Sequence, residues 1–258
     1  MSIRWRAFPY DSNAYRYTRA ALEALWPRLH AGDAEPLPAD PQVLAAWALL
    51  HAGEFEQAMR AGLAAGGAGI TVANKAQALH ATYLETSEPA KLAKYDAVAA
   101  RAQAQVDAEP RNPNAHFWLA YALGRRSQSI SITRALSQGL SAKVKVALET
   151  TIALAPTHAD AHVALGTYHA EVIDKLGSLL GRTQGASKEA GLHAFAEALR
   201  LSPHSAIAMI EAANGVVMLE GDKRAQEADR LYAAAAACEA IDAVGRLEVE
   251  LARSELEE

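Results

Sequence analysis

Cysteine is almost absent from this chain. The single Cys238 excludes an internal disulfide and any cysteine-rich zinc site. It lies in AAAAACEA and reads as a small buried apolar residue. Aromatic residues make up only 6% of the sequence, and runs of Val, Ile, Thr and aromatics of strand length are scarce, which argues against a β-fold. No stretch approaches the ~18 apolar residues of a membrane helix. The opening MSIRWRAFPYDSNAYRY has no apolar core of a signal-peptide kind. A net charge of −5 gives no basic excess for binding nucleic acid along the whole chain. These absences point to a soluble, cytoplasmic protein without a membrane span.

What is abundant is alanine, which supplies much of the 51% hydrophobic share. Alanine is the best helix former, and its small side chain lets helices approach closely. Three prolines punctuate the alanine-rich runs QAQVDAEP, TTIALAP and AEALRLSP: Pro110, Pro156 and Pro203. Each closes one helical run and precedes another, the punctuation of a repeated helix pair. The expected fold is all-α, an α-solenoid of helix hairpins forming one repeat domain over 1–258. Its N-terminal helices and first repeat cover 1–71, further repeats 72–240, and a polar capping helix 241–258.

Register can be counted from the prolines. Ten residues on stand Ala120, Gly166 and Ala213, small each time, where the two helices of a hairpin should touch. Eight residues before stand Ala102, Leu148 and Phe195, expected core positions. Asn112–Pro113 and Ser202–Pro203 read as helix starts, and Thr157 with Asp160 as a capping box. Nearer the N-terminus, helices are expected over 13–30, ended early by Pro27, and over 42–52, with a turn at Gly53. GLAAGGAGIT (62–71) lacks the Gly-Lys-Ser/Thr ending of a phosphate loop and reads as a flexible connector. A further turn is expected at Ser87–Pro89.

The prolines lie 46 and 47 residues apart, against a period of about 34 for a plain tetratricopeptide unit. Each of these two repeats thus has about 12 extra residues after its first helix, at about 124–143 and 175–187. They either project on one face, or are longer helices with a bent turn.

LGTYHA followed by AFAEALRLSP, with its Leu-Gly, alanines and terminal proline, resembles a tetratricopeptide repeat. The stretch from PNAHFWLAYALG to about LEGDK also resembles the regulator of microtubule dynamics family and its bacterial relatives, which share lengthened helices at the same two points. The likeness covers roughly residues 90–240 and implies a repeat fold that binds other proteins. The family name implies microtubule association in its eukaryotic members. This chain is without their membrane anchor and coiled coil, and its composition is like that of a bacterial protein from a GC-rich genome, so the microtubule role is not transferred to it.

In a solenoid the first helices line the concave side. The register puts Phe117, Val163 and Ile210 at exposed inner positions, Tyr121, Thr167 and Asn214 four residues on, and Arg125, Glu171 and Met218 after those. With Arg126 they compose a groove for a protein or peptide segment, apolar area combined with hydrogen-bond direction. The other view of Phe117, Val163 and Ile210 is that they pack between repeats. From Gly124 to Leu148 the basic residues Arg125, Arg126, Arg134, Lys143 and Lys145 meet no acid, while the tail from Glu239 has an acidic excess. The basic stretch is a solvated face or an anion-binding surface.

His158, His162 and His169 share a helical stripe but lack the HExxH arrangement, so no metal or cofactor is expected. No Gly-x-Ser-x-Gly elbow occurs and no catalytic residue is assigned. The rival reading is a small-molecule binder or enzyme whose pocket the two insertions close, with Tyr121, Arg126, His169, Glu171, Asp174 and Asn214 converging in it. A third is self-association through apolar first helices.

Overall fold

The computed structural model describes residues 5–130 and 138–257. Among these the regular structure is helical throughout. The α-helices are α1 (Arg19–Leu29), α2 (Pro41–His51), α3 (Phe55–Ala65), α4 (Gly69–Tyr83), α5 (Glu88–Ala108), α6 (Pro113–Gln128), α7 (Leu140–Leu154), α8 (Ala159–Thr183), α9 (Lys188–Leu201), α10 (Ala206–Glu220), α11 (Ala225–Ala236) and α12 (Ala243–Glu257).

The chain divides into two compact units. The first comprises Met1–His30, Glu35–Leu154 and Ile241–Val244, the second Ala31–Ala34, Ala155–Ala240 and Gly245–Glu258. In the first, hairpins α2–α3, α4–α5 and α6–α7 follow one another, and the first helices α2, α4 and α6 also touch in sequence. In the second, hairpins α8–α9 and α10–α11 stack, with α8 against α10.

The three prolines stand where the register puts them, just past the ends of α5, α7 and α9. Two residues after each is a side chain that caps the next helix. Asn112 Oδ1 accepts the Ala115 N–H at 3.2 Å, His158 Nδ1 that of Ala161 at 3.1 Å, and Ser205 Oγ that of Ala208 at 3.2 Å. Asn112 is thus the expected cap. Ser202 instead follows the end of α9, so Pro203 sits in the turn before the helix rather than in its first turn. His158, not Thr157, starts α8. The positions read as core are core: Ala102, Leu148 and Phe195 are all buried, as are Ala120, Gly166 and Ala213.

Near the N-terminus the expected helix 13–30 is a 3-10 turn at Asn13–Tyr15 followed by α1, and Pro27 lies inside α1, which runs on to Leu29. Gly53 turns the chain with φ +82°. GLAAGGAGIT is no flexible connector. Gly62 lies in the last turn of α3 and Gly69 opens α4, each lies against the other's backbone, and neither position has room for a Cβ. The bend expected at Ser87–Pro89 falls just earlier, because Glu88 and Pro89 already belong to the first turn of α5. Cys238 is half-buried, with its Sγ 3.9 Å from Met209 Sδ, and burial raises its thiol pKa.

Candidate functional site

The sequence-derived groove begins with Phe117, Val163 and Ile210, and here the structure corrects the expectation. All three are buried, at 3%, 6% and 3% exposure. Phe117 stacks edge-on against Trp118 at 5.0 Å. Val163 packs with Ala198 and Ala208, and Ile210 with Ala206, Ala235, Val249 and Ala252. Neighbouring helices cover the start of the stripe, and apolar side chains gain from that burial.

The later positions of the stripe reach the surface. In the first unit Tyr121 and Arg125 are half-buried one turn apart on α6. The Tyr121 hydroxyl bonds to Thr82 Oγ1 at 2.7 Å, and Thr82 also bonds the Tyr95 hydroxyl at 3.0 Å. Burial pushes the Tyr95 phenol up to about 12, with Tyr121 adding to the shift. The Arg125 guanidinium lies 5.3 Å from the centre of the Tyr121 ring, a cation–π contact. Arg126 pairs instead with Asp96 at 2.8 Å. The basic stretch around them is partly paired, Lys145 with Glu149, while Lys143 is exposed; Arg134 lies outside the described residues.

In the second unit Thr167 donates to Glu211 at 3.0 Å, and Asn214 accepts from the Tyr232 hydroxyl at 2.6 Å. Burial raises the Tyr232 pKa. Met218 and its neighbour Val217 are exposed on the same helix. Glu171 pairs with Lys175 at 2.8 Å.

Within the second unit the residues named for the rival pocket are engaged separately. His169 Nδ1 accepts the Ser187 backbone N–H at 3.2 Å, Glu171 holds Lys175, Asn214 holds Tyr232, and Asp174 is exposed. The insertion at 175–187 is a bent continuation of α8. Its helix breaks at Gly177, where φ is 73°, and the chain folds back so that the Tyr168 hydroxyl donates to the Gln184 carbonyl at 2.6 Å. Of the two sequence readings, the longer helix with a bent turn describes it. The insertion at 124–143 lies in part outside the described residues. Before that gap α6 continues to Gln128, and after it Gln138 accepts from Arg126 at 3.2 Å.

The histidines have structural tasks. His158 caps α8, His169 binds the Ser187 N–H, and His162 Nε2 lies 3.1 Å from the Pro156 carbonyl oxygen. His116 repeats that last contact on Pro110 at 3.0 Å, one repeat earlier. Among the described residues no group of His, Cys, Asp or Glu is arranged to hold a metal ion. The acidic tail also pairs locally, Glu250 with Arg246 and Arg253. Among the described residues no helix is long and apolar enough to cross a membrane.

Sequence reasoning missed one constellation. Ahead of α1, residues 5–8 run without regular structure over α4, α5 and the turn between α2 and α3 in the first unit, held by Trp5 and Phe8. Under them lie three buried ionisable groups, His80, Glu85 and Lys94. The signal available was two aromatic residues three apart, in a chain poor in aromatics.

A family model described as Regulator of microtubule dynamics protein 1-3 matches residues 72–244. Among curated proteins no significant match is found. The crystal structure of a thermophilic TPR protein from Thermus thermophilus is similar in fold, with a TM-score of 0.59 at 16% identity, over 83% of this chain and 97% of that one. The hairpins described above are thus of tetratricopeptide type.

Proposed function

Because this chain belongs to the Regulator of microtubule dynamics protein 1-3 family, we propose that it is a non-enzymatic, cytoplasmic scaffold whose first helices take up a segment of a partner protein. The observation that supports this most is the polar–aromatic face of α6. Tyr121 is fixed by Thr82 at 2.7 Å, and the Arg125 guanidinium is poised 5.3 Å above its ring. A guanidinium oriented before binding loses less freedom when a carboxylate arrives, and it can receive that carboxylate through two parallel hydrogen bonds. The partner class that fits is an acidic or carboxylate-ended segment. Arg125 Nη1 also donates to Gln128 Oε1 at 3.3 Å, an exposed contact that an arriving carboxylate would replace, and Arg126, paired with Asp96, adds positive potential.

The second unit offers a face of different character. Thr167, Glu171 and Asn214 provide hydrogen-bonding groups, and Met218 provides an adaptable apolar surface. Phe117, Val163 and Ile210 support these faces from within. Tetratricopeptide-type repeats serve many partners, so the named side chains rather than the fold define this proposal.

The test is quantitative mass spectrometry of proteins that co-purify with the wild type and with a Tyr121→Ala/Arg125→Glu variant. Removing one charge-assisted contact and reversing its sign should lower partner recovery by about tenfold or more. An unchanged partner set from a folded variant would overturn the reading.

A further inference from the structure

The trough beneath residues 5–8 is built unlike an ordinary helix contact. Trp5 and Phe8 are half-buried and Arg6 and Ala7 exposed, so the segment lies on the surface, anchored at two points. Trp5 sits over His80, ring centres 4.3 Å apart, with Lys94 Nζ 4.7 Å from the Trp5 ring centre. Phe8 fills a notch at Gly53, where a Cβ would come within 2.7 Å of its ring. Between the anchors the backbone of Arg6 is gripped by His80. Lys94 donates to Glu85 at 2.7 Å and to His80 Nδ1 at 3.1 Å. An ammonium has no acceptor to offer, so Nδ1 accepts from Lys94. His80 Nε2 faces the Arg6 backbone, 3.0 Å from its nitrogen and 3.2 Å from its carbonyl oxygen.

Three buried ionisable groups are a costly floor for a surface strap whose only task is to cover α4, where apolar residues would serve better. They suit recognition. A buried cation faces an aromatic ring, a buried imidazole meets the backbone of the residue between the anchors, and a glycine notch admits the second ring. We propose that this trough, formed by α4, α5 and the turn between α2 and α3, is a binding site for an extended partner segment with aromatic side chains at its first and fourth positions. The chain's own Trp5–Phe8 occupies it in cis and defines the chemistry it accepts. The site shares no residue with the Tyr121–Arg125 face and does not depend on that reading.

The probe is a fluorescein-labelled hexapeptide with the sequence of residues 5–10, Trp-Arg-Ala-Phe-Pro-Tyr. It is titrated by fluorescence anisotropy into the full chain and into a Trp5→Ala/Phe8→Ala variant whose fold is checked by circular dichroism. The variant should bind it saturably. The wild type should bind at least about tenfold more weakly, because its own segment competes at an effective concentration on the order of millimolar. A peptide with alanine in place of its tryptophan should also bind at least about tenfold more weakly. Lack of saturable binding to the folded variant, equal binding to wild type, or indifference to the tryptophan each overturns the proposal. So does a concentration-dependent wild-type dimer that the double variant loses, since the occupant would then be a second copy. A second measurement avoids the variant's stability. In wild type labelled with 5-fluorotryptophan, millimolar unlabelled peptide should move the Trp5 resonance to its free position, and an unmoved resonance overturns the site.

Discussion

The two units share one register and bury different chemistry. The first is aromatic and ionic inside. Trp26 and Trp47 meet edge to face at 5.8 Å, and fully buried His51 bonds Asp242 at 2.8 Å and lies 3.3 Å from His30. The Lys94–Glu85–His80 group lies under Trp5. In the second unit small residues close around the Phe195 ring. Phe195 of α9 lies between Gly166 of α8 and Gly215 of α10, with no room for a side chain at either glycine. Proline punctuation and helix caps are thus enough to set the repeat, while the core beneath is free to differ. A core of glycine and alanine relies on close approach and fails by overpacking. A core of paired charges fails when one partner is removed or titrated.

The largest effect should come from breaking the ionic core. Lys94→Met leaves Glu85 buried opposite an apolar chain and should destabilise the first unit by about 3–5 kcal/mol. Adding Glu85→Gln should restore most of this, since the amide oxygen can keep the backbone N–H bonds of Thr86 and Ser87, each now 3.1 Å. All four tryptophans (Trp5, Trp26, Trp47 and Trp118) belong to the first unit, so their fluorescence in urea isolates it. A double variant no better than the single one would remove the ionic core from the comparison.

Acid should weaken the ionic core next. Burial and then the Lys94 charge lower the His80 pKa from 6.5 to about 4, against the smaller opposing pulls of the Arg6 carbonyl, Glu85 and Glu56. Between those values the unfolded chain binds the proton and the native one does not. The contribution is complete above pH 6.5 and is lost as pH falls toward 4. About 2–3 kcal/mol should go over that interval, visible in the tryptophan-detected transition. Glu85, held down to about 2 chiefly by its hydrogen bond from Lys94, extends the loss below pH 4.5. His80→Gln should flatten the tryptophan-detected loss between about pH 6.5 and 4.5. A loss of unchanged size in that variant would contradict the assignment to His80.

The small-residue core should respond to volume. At Gly166 a Cβ would come within 2.7 Å of the Phe195 ring, so Gly166→Leu should cost about 1–3 kcal/mol, read by hydrogen exchange in α9. Phe195→Leu should lessen the penalty of Gly215→Ala, because the two share one contact. An additive pair would mean that Phe195 is not the obstacle.

Much of this is legible in the sequence. Pro110, Pro156 and Pro203 mark the helix ends, and counting from them gives Gly166 as a small contact position and Phe195 as a core knob. Other features depend on what packs outside an element. Phe117, Val163 and Ile210 share a stripe, but one helix's period cannot say whether a neighbour covers it. Gly62 and Gly69 read as slack because glycine marks both a loose loop and a tight crossing. His158 draws the eye as a metal ligand when its task is a cap, since an imidazole nitrogen accepts a backbone N–H as a carbonyl does. Residues 5–8 have no periodicity to read, and only tertiary contact shows their place over Lys94 and His80.

The smallest effect tests what the units have in common. Asn112 and Ser205 hold the same place in the register, two residues past a proline, and each accepts the N–H three residues on at 3.2 Å. Neither bond draws on the core beneath it. Asn112→Ala and Ser205→Ala should therefore each cost about 1 kcal/mol despite the different interiors. Tryptophan fluorescence follows the first, and hydrogen exchange in α10 follows the second. Costs that differ by more than about 1 kcal/mol would mean that the cap is coupled to the core, and that repeat punctuation and core chemistry are not separable as the comparison requires.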